Sequence, residues 1–211
     1  AGGAPRRTRS GRAESSRRRG RRSALSEGPV PFSTLLDLSS GRLDPERDVV
    51  ERRLSDMRGM YLEEPAGEED PVVYRVFGIP APATNANLLS STTVLEPGRV
   101  DREYFMTKGH FHEQRDRAEI YLGLSGEGLL VMATEDGRHV VEPMRRGNVN
   151  YVPGWWAHRS VNVGDEPLVF FAAYVGDAGH DYGTIEEQGF PIVVLAGEDG
   201  PEVVENPRYG Q

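Results

Sequence analysis

The sequence predicts an all-β domain, a small closed or double-sheet barrel, preceded by a short helical segment. Three observations carry that expectation. From Pro71 onward the chain falls into ten short runs rich in β-branched and aromatic residues. Turn residues divide them at close to the about 8–12-residue spacing of sandwiches and barrels. Asp136-Gly137 is a strong two-residue hairpin turn. No βαβ alternation, phosphate loop or internal repeat interrupts the series, which disfavours a nucleotide-binding parallel sheet.

The N-terminal segment is different in kind. The chain has 211 residues, enough for one domain with a proper core and short for two. Its net charge is −8, but residues 1–28 hold nine arginines against Glu14 and Glu27, a local +7 that leaves −15 for the rest. So few apolar residues cannot offset the entropy of ordering the leader. Residues 1–30 are therefore expected to be a disordered extension and 31–211 a single domain. Such a leader could bind nucleic acid or act as a targeting peptide. It has neither the apolar core of a secretory signal nor the apolar face of an organellar one. The acidic remainder argues against nucleic acid as the partner of the folded part. No apolar run approaches the roughly 18–20 residues that span a bilayer. With no cysteine, a disulfide framework, a thiolate metal site and a cysteine nucleophile are all excluded.

Beyond the leader, a helix is signalled over residues 44–59. Asp44 can cap it, Pro45 suits its first position, and Val50, Leu54 and Met57 share one face before Gly59. The β-type runs follow at 71–78, 87–98, 102–112, 118–128, 129–137, 138–147, 148–154, 158–167, 168–176 and 190–200.

Chemistry concentrates in the third and fourth runs. On a strand, residues i and i+2 project to one face, so His110 and His112 point together while Phe111 points away. The polar stretch 113–117 suits a hairpin loop, and on the return strand Glu119, Tyr121 and Gly123 share a face. An H-x-H pair alone is a weak metal signal. His158, opening a strand after the Pro153-Gly154 turn, supplies a candidate fourth ligand. Three imidazoles and a carboxylate suit one divalent transition metal per chain (Fe, Mn, Ni, Co or Zn) with positions left for water or substrate. His139, between turn and strand, is expected at the surface. Lys108 is expected to be a solvated charge, and Trp155 and Trp156 to pack beneath the His158 turn.

These segments resemble the paired motifs of the cupin superfamily. The first, G-x5-H-x-H-x3–4-E-x6-G, is met by His110, His112, Glu119 and Gly126; the second, G-x5-P-x-G-x2-H-x3-N, by Gly147, Pro153, His158 and Asn162. The histidine-to-glutamate gap is six residues here, and Trp155 stands where the motif has its second glycine. TKGHFH, AEIY, YVPGWWAHRSVN and DAGHDYGT, with RRLSDMRGMY upstream, are similar to the cupin-type glucose-6-phosphate isomerases found mainly in archaea and some bacteria. The likeness runs from about Leu54 to Pro207.

That resemblance implies a double-stranded β-helix, or jelly-roll, barrel and a cytoplasmic homodimer. It implies interconversion of glucose 6-phosphate and fructose 6-phosphate, through a cis-enediol or a hydride shift. Glu119 and His110 become catalytic candidates as well as ligands. Tyr74, Thr93, Thr107, Gly109 and Tyr174 fall at the phosphate end, with Tyr121, His180 and Tyr182 near the sugar. Strand parity agrees for Tyr121 and Tyr174; Thr107 and Gly109 have the wrong parity, which asks for a bulge or for backbone contacts. Two other readings are another metal-dependent cupin enzyme, such as a dioxygenase or mannose-6-phosphate isomerase, and a non-catalytic sugar-binding cupin.

Overall fold

The computed structural model describes residues 1, 2, 30–45 and 49–211. The chain separates into two units, Ala1–Val30 and Pro31–Gln211. Almost all of the leader, and with it the expectation of disorder there, lies outside the described residues.

In the second unit the strands are β1 (Leu35–Leu36), β2 (Leu43–Asp44), β3 (Val49–Arg53), β4 (Val72–Ile79), β5 (Leu88–Leu95), β6 (Arg99–Val100), β7 (Glu103–Tyr104) and β8 (Glu119–Ser125). They continue as β9 (Glu127–Ala133), β10 (His139–Arg145), β11 (Val149–Val152), β12 (Ala157–Asn162), β13 (Leu168–Val175), β14 (Ile192–Ala196) and β15 (Pro201–Glu205). Among the described residues, helix is confined to α1 (Gly183–Gln188) and one 3-10 turn at Leu54–Met57. No helix among the described residues is long and apolar enough to cross a membrane.

Every strand pairing is antiparallel. One sheet runs β11-β8-β13-β5-β4-β3 and a second β10-β9-β12; smaller sheets are β15-β14-β7-β6 and β1-β2. The two larger sheets share one core. Tyr74, Leu95, Tyr121 and Phe170 come from the first, Leu130, Met132, Met144 and Val161 from the second, all buried. Burying each such side chain is worth about 1.5–3 kcal/mol before entropy is counted. The pleat is visible in β8, where Glu119 and Tyr121 turn inward and Ile120 stays 45% exposed. This is the all-β, cupin-type barrel that the sequence predicts.

Three local expectations are overturned. Of the helix expected over 44–59, residues 46–48 lie outside the described residues, and the described part is the end of β2, then β3 paired with β4, then the 3-10 turn. Adjacent β-branched Val49 and Val50 favour extended backbone, and the free edge of β4 supplies the ladder, so tertiary pairing overrides the apolar spacing. Met57 is fully buried all the same, beneath the turn.

The run 102–112 forms a ladder only at β7. Beyond it come isolated bridges, Met106 to Val161, His110 to His158 and Phe111 to Asp181. Gly109, at φ +74, breaks the alternation between them. Residues 110–112 and β8 are not partners in a hairpin: the histidine segment bridges to β12, while β8 lies between β11 and β13 in the other sheet.

Candidate metal centre and its cavity

His110 and His112 leave the bridged segment, Glu119 opens β8, and His158 is the second residue of β12. One ligand atom from each of the four lies within 4.8 Å of the others. The convergence expected from a hairpin is thus reached across the barrel. The mutual bonds His110 N–H to His158 C=O and His158 N–H to His110 C=O fix two of the ligands against each other, at 3.2 and 3.1 Å.

The donor set fits a cation. His112 Nδ1 lies 2.9 Å from the Arg117 carbonyl, which only accepts, so Nδ1 carries the proton and Nε2 turns its lone pair inward. Nε2 of His112 and of His158 each sit 3.1 Å from the same Glu119 oxygen, Oε2. Nε2 of His110 and of His158 are buried without a hydrogen-bond partner. Orphaned imidazole nitrogens around one carboxylate are costly unless something electron-poor joins them.

The electrostatics agree. Burial holds His110 well below the ordinary histidine value, with His158 and His180 adding to the effect, so it stays neutral and able to ligate. Burial alone would raise the Glu119 carboxyl, but the His112 and His158 rings set against its Oε2 outweigh burial and bring it well below the carboxylate range.

The centre opens onto a cavity of about 390 Å³, a size typical of small-molecule sites. His110, Glu119 and His158 reach its wall, and so does every other site residue expected from the sequence except His112: Tyr74, Thr93, Thr107, Gly109, Tyr121, Tyr174, His180 and Tyr182. Phe170, Ala172 and Tyr174 line it from one face of β13, as period two requires. His180 packs on His110 with ring centroids 4.4 Å apart and stacks on Tyr182 at an interplanar angle of 8°.

The phenols are held neutral. Burial pushes Tyr74 and Tyr174 up to about 12, aided by Tyr182 and Glu119 respectively. Burial, then Glu119, drives Tyr121 well above its usual value. These hydroxyls are therefore hydrogen-bond donors at neutral pH.

The parity problem at Thr107 and Gly109 is resolved by Gly109. A Cβ there would come within 2.7 Å of the Phe190 ring and 3.0 Å of the His158 carbonyl. The left-handed turn lets residues on both sides of it face the cavity.

Other expectations divide. His139 is exposed at the start of β10, as expected. Trp156 packs against the core, but Trp155 is 62% exposed at φ +72 rather than buried beneath the turn. It keeps the left-handed backbone of the glycine it replaces and turns its ring to solvent. Lys108 is not a solvated charge: it lines the cavity and pairs with Glu186 at 3.3 Å. Arg52 is a lining residue that the sequence reading missed. Its segment reads as a helix in sequence, and only the pairing of Arg52 with Tyr74 brings it to the cavity.

Comparison with known proteins places these features in context. A family model described as glucose-6-phosphate isomerase matches residues 51–207. A glucose-6-phosphate isomerase of Pyrococcus horikoshii is 47% identical over 184 residues, 85% of this chain and 97% of the relative. One from Sinorhizobium medicae is 36% identical over 187 residues, 85% and 87% of the two chains. A solved structure of a Bacillus subtilis oxalate decarboxylase variant overlaps 56% of this chain and 29% of its own, at 26% identity and a TM-score of 0.40, too partial to bear on function.

Proposed function

The chain belongs to the glucose-6-phosphate isomerase family and is an isomerase of that kind; from this premise we propose how its cavity works. D-glucose 6-phosphate and D-fructose 6-phosphate interconvert in the cavity, where His110, His112, Glu119 and His158 would hold a divalent transition metal. The observation that carries this reading is the convergence of four ligand atoms within 4.8 Å at the wall of a cavity lined by hydroxyl donors. When bound, the metal supplies Lewis acidity toward the oxygens at C1 and C2.

The residues divide the remaining work. Tyr74, Thr93, Thr107, Tyr174 and the Gly109 backbone hold the phosphate, while Tyr121, His180 and Tyr182 orient the open-chain sugar. Glu119 is reachable from the cavity. In the enediol route its carboxylate takes the proton from one of C1 and C2 and returns it to the other, while the hydroxyl proton passes between O2 and O1. His110, at the cavity wall beside Glu119 and packed at 4.4 Å on the rings of His158 and His180, is the second catalytic candidate. Family membership also supports a cytoplasmic homodimer, which sedimentation of the purified chain would check.

A hydride shift between C2 and C1 is the second reading, favoured by the imidazole contacts that hold the Glu119 carboxyl low and so make it a weak base. Glu119→Gln separates the two. Under the enediol route, metal-loaded Glu119→Gln loses roughly 10²–10⁴-fold in turnover, and the wild type incorporates deuterium at C1 or C2 from heavy water. A variant that retains metal and full activity, with an unlabelled wild-type product, removes Glu119 as the base. A wild type that binds sugar phosphates without converting them removes the isomerase reading itself.

A further inference from the structure

Two cationic side chains besides the histidines reach the cavity wall, Arg52 and Lys108. Lys108 is engaged, its Nζ 3.3 Å from Glu186 Oε1. Arg159 lies close by but faces elsewhere. Its Nε and Nη2 donate to the Lys108 carbonyl at 3.2 and 2.6 Å, and its guanidinium stacks 4.5 Å from the Phe190 ring, lining a separate hollow.

Arg52 is held more lightly than either, by one long contact of Nη1 with the Glu51 carbonyl at 3.5 Å. Its neighbours Arg53 and Arg75 each pair with Glu51, at 2.9 and 3.0 Å. No carboxylate among the described residues forms a salt bridge with Arg52. It sits half-buried on β3 with Tyr74 as its register partner. Its charge bears on the phenols of both Tyr74 and Tyr182. A half-buried cation without a carboxylate, set among neutral hydroxyl donors, is complementary to a compact anion.

Resting on the isomerase reading above, we infer that Arg52 is the counter-charge for the substrate's C6 phosphate, and so the residue that separates sugar phosphates from free sugars. A phosphate monoester carries about −1.5 to −2 at pH 7. Beyond its first 28 residues the chain carries −15, a field that repels such a ligand. Hydroxyls and backbone N–H groups order the phosphate oxygens without adding charge. The guanidinium supplies the charge and two parallel N–H donors, which a lysine in its place matches only in charge.

Calorimetric titration of the metal-loaded full chain tests this with glucitol 6-phosphate, which has the phosphate but no carbonyl to isomerise, and with glucitol. The wild type binds the phosphate ester, more weakly as salt rises. Arg52→Met weakens that binding roughly 10- to 100-fold and flattens its salt dependence, leaving glucitol binding and the melting temperature as they were. Arg52→Lys recovers part of the loss. In turnover the effect falls on KM for glucose 6-phosphate rather than on kcat. Arg52→Gln gives the same reading should the methionine variant melt early.

Neutral variants that bind glucitol 6-phosphate as tightly as an active wild type overturn the role of Arg52 and leave the isomerase reading standing. A wild type that neither binds the ester nor isomerises glucose 6-phosphate overturns both.

Discussion

Trp155 shows what one residue can carry. Its φ of +72 lies in the left-handed region, where a side chain costs about 1–2 kcal/mol. The exposed ring recovers little of that through burial, and the Arg115 carbonyl accepts the Trp155 N–H regardless of side chain. Trp155→Gly should therefore stabilise the fold by about 1 kcal/mol, after the added chain entropy of glycine is set against the relieved strain. Differential scanning calorimetry should show a melting temperature about 2–4 °C higher. The opposite change at Gly109 is expected to be harmful. Gly109→Ala adds a Cβ against Phe190 and the His158 carbonyl at φ +74, so it should lower both stability and metal affinity. Both positions sit in stretches whose motif was legible in sequence. The ligands were found because H-x-H spacing puts two imidazoles on one face whatever the strand pairs with. Arg52 was not, since a long side chain on an edge strand reveals its target only once the pairing is known.

At the scale of elements, β12 is held by the last residue of its motif. Asn162 Nδ2 donates to the carbonyls of Leu95 and Glu166, and Oδ1 accepts from Gly164 N–H. Asn162→Ala takes a donor from the buried Leu95 carbonyl, while the Gly164 N–H keeps the Glu127 carbonyl and the Glu166 carbonyl can turn to water, so it should cost about 1–3 kcal/mol. Chemical denaturation would measure it, and His158, four residues back on the same strand, should lose metal affinity with it. The segment carrying His180 and Tyr182 is anchored by Asp181, whose carboxylate accepts from the Thr184 hydroxyl and from Arg115, both at 2.6 Å. Those contacts hold the Asp181 carboxyl at about 2. A lowered folded value means the contribution is present above the unfolded carboxylate range and is lost as pH falls from about 4 toward 2. Solvent screening keeps it near or below about 1 kcal/mol. Hydrogen exchange across 180–184 should accelerate over that acid window; unchanged protection there would rule the anchor out. The elements were read unevenly from sequence. Period-two runs such as β8 and β13 are plain, because one face of each is in the core. The stretch 49–57 misled, because an apolar i, i+4, i+7 pattern and two adjacent valines describe a helix or a strand equally well, and the β4 edge decides. The hairpin between the histidines and Glu119 failed for a related reason. Spacing shows that two segments can meet, but not which sheet each belongs to.

For the whole molecule, the barrel acts as a frame that brings ligands from two sheets to one point. His158 comes from the three-stranded sheet and Glu119 from the six-stranded one, with His110 and His112 on the segment that bridges to β12. An ion held by all four would tie the sheets together, so metal should raise the melting temperature as well as the rate, by mass action on the folded state. Turnover should follow occupancy of this one centre. Its most direct measurement is fructose 6-phosphate formation by exhaustively chelated protein as a divalent transition metal is returned in known steps. The predicted result is no turnover at the start, a linear rise, and a plateau at one ion per chain, with His158→Ala needing at least about 10-fold more free metal to reach half its plateau. Full turnover in the metal-free protein would contradict it.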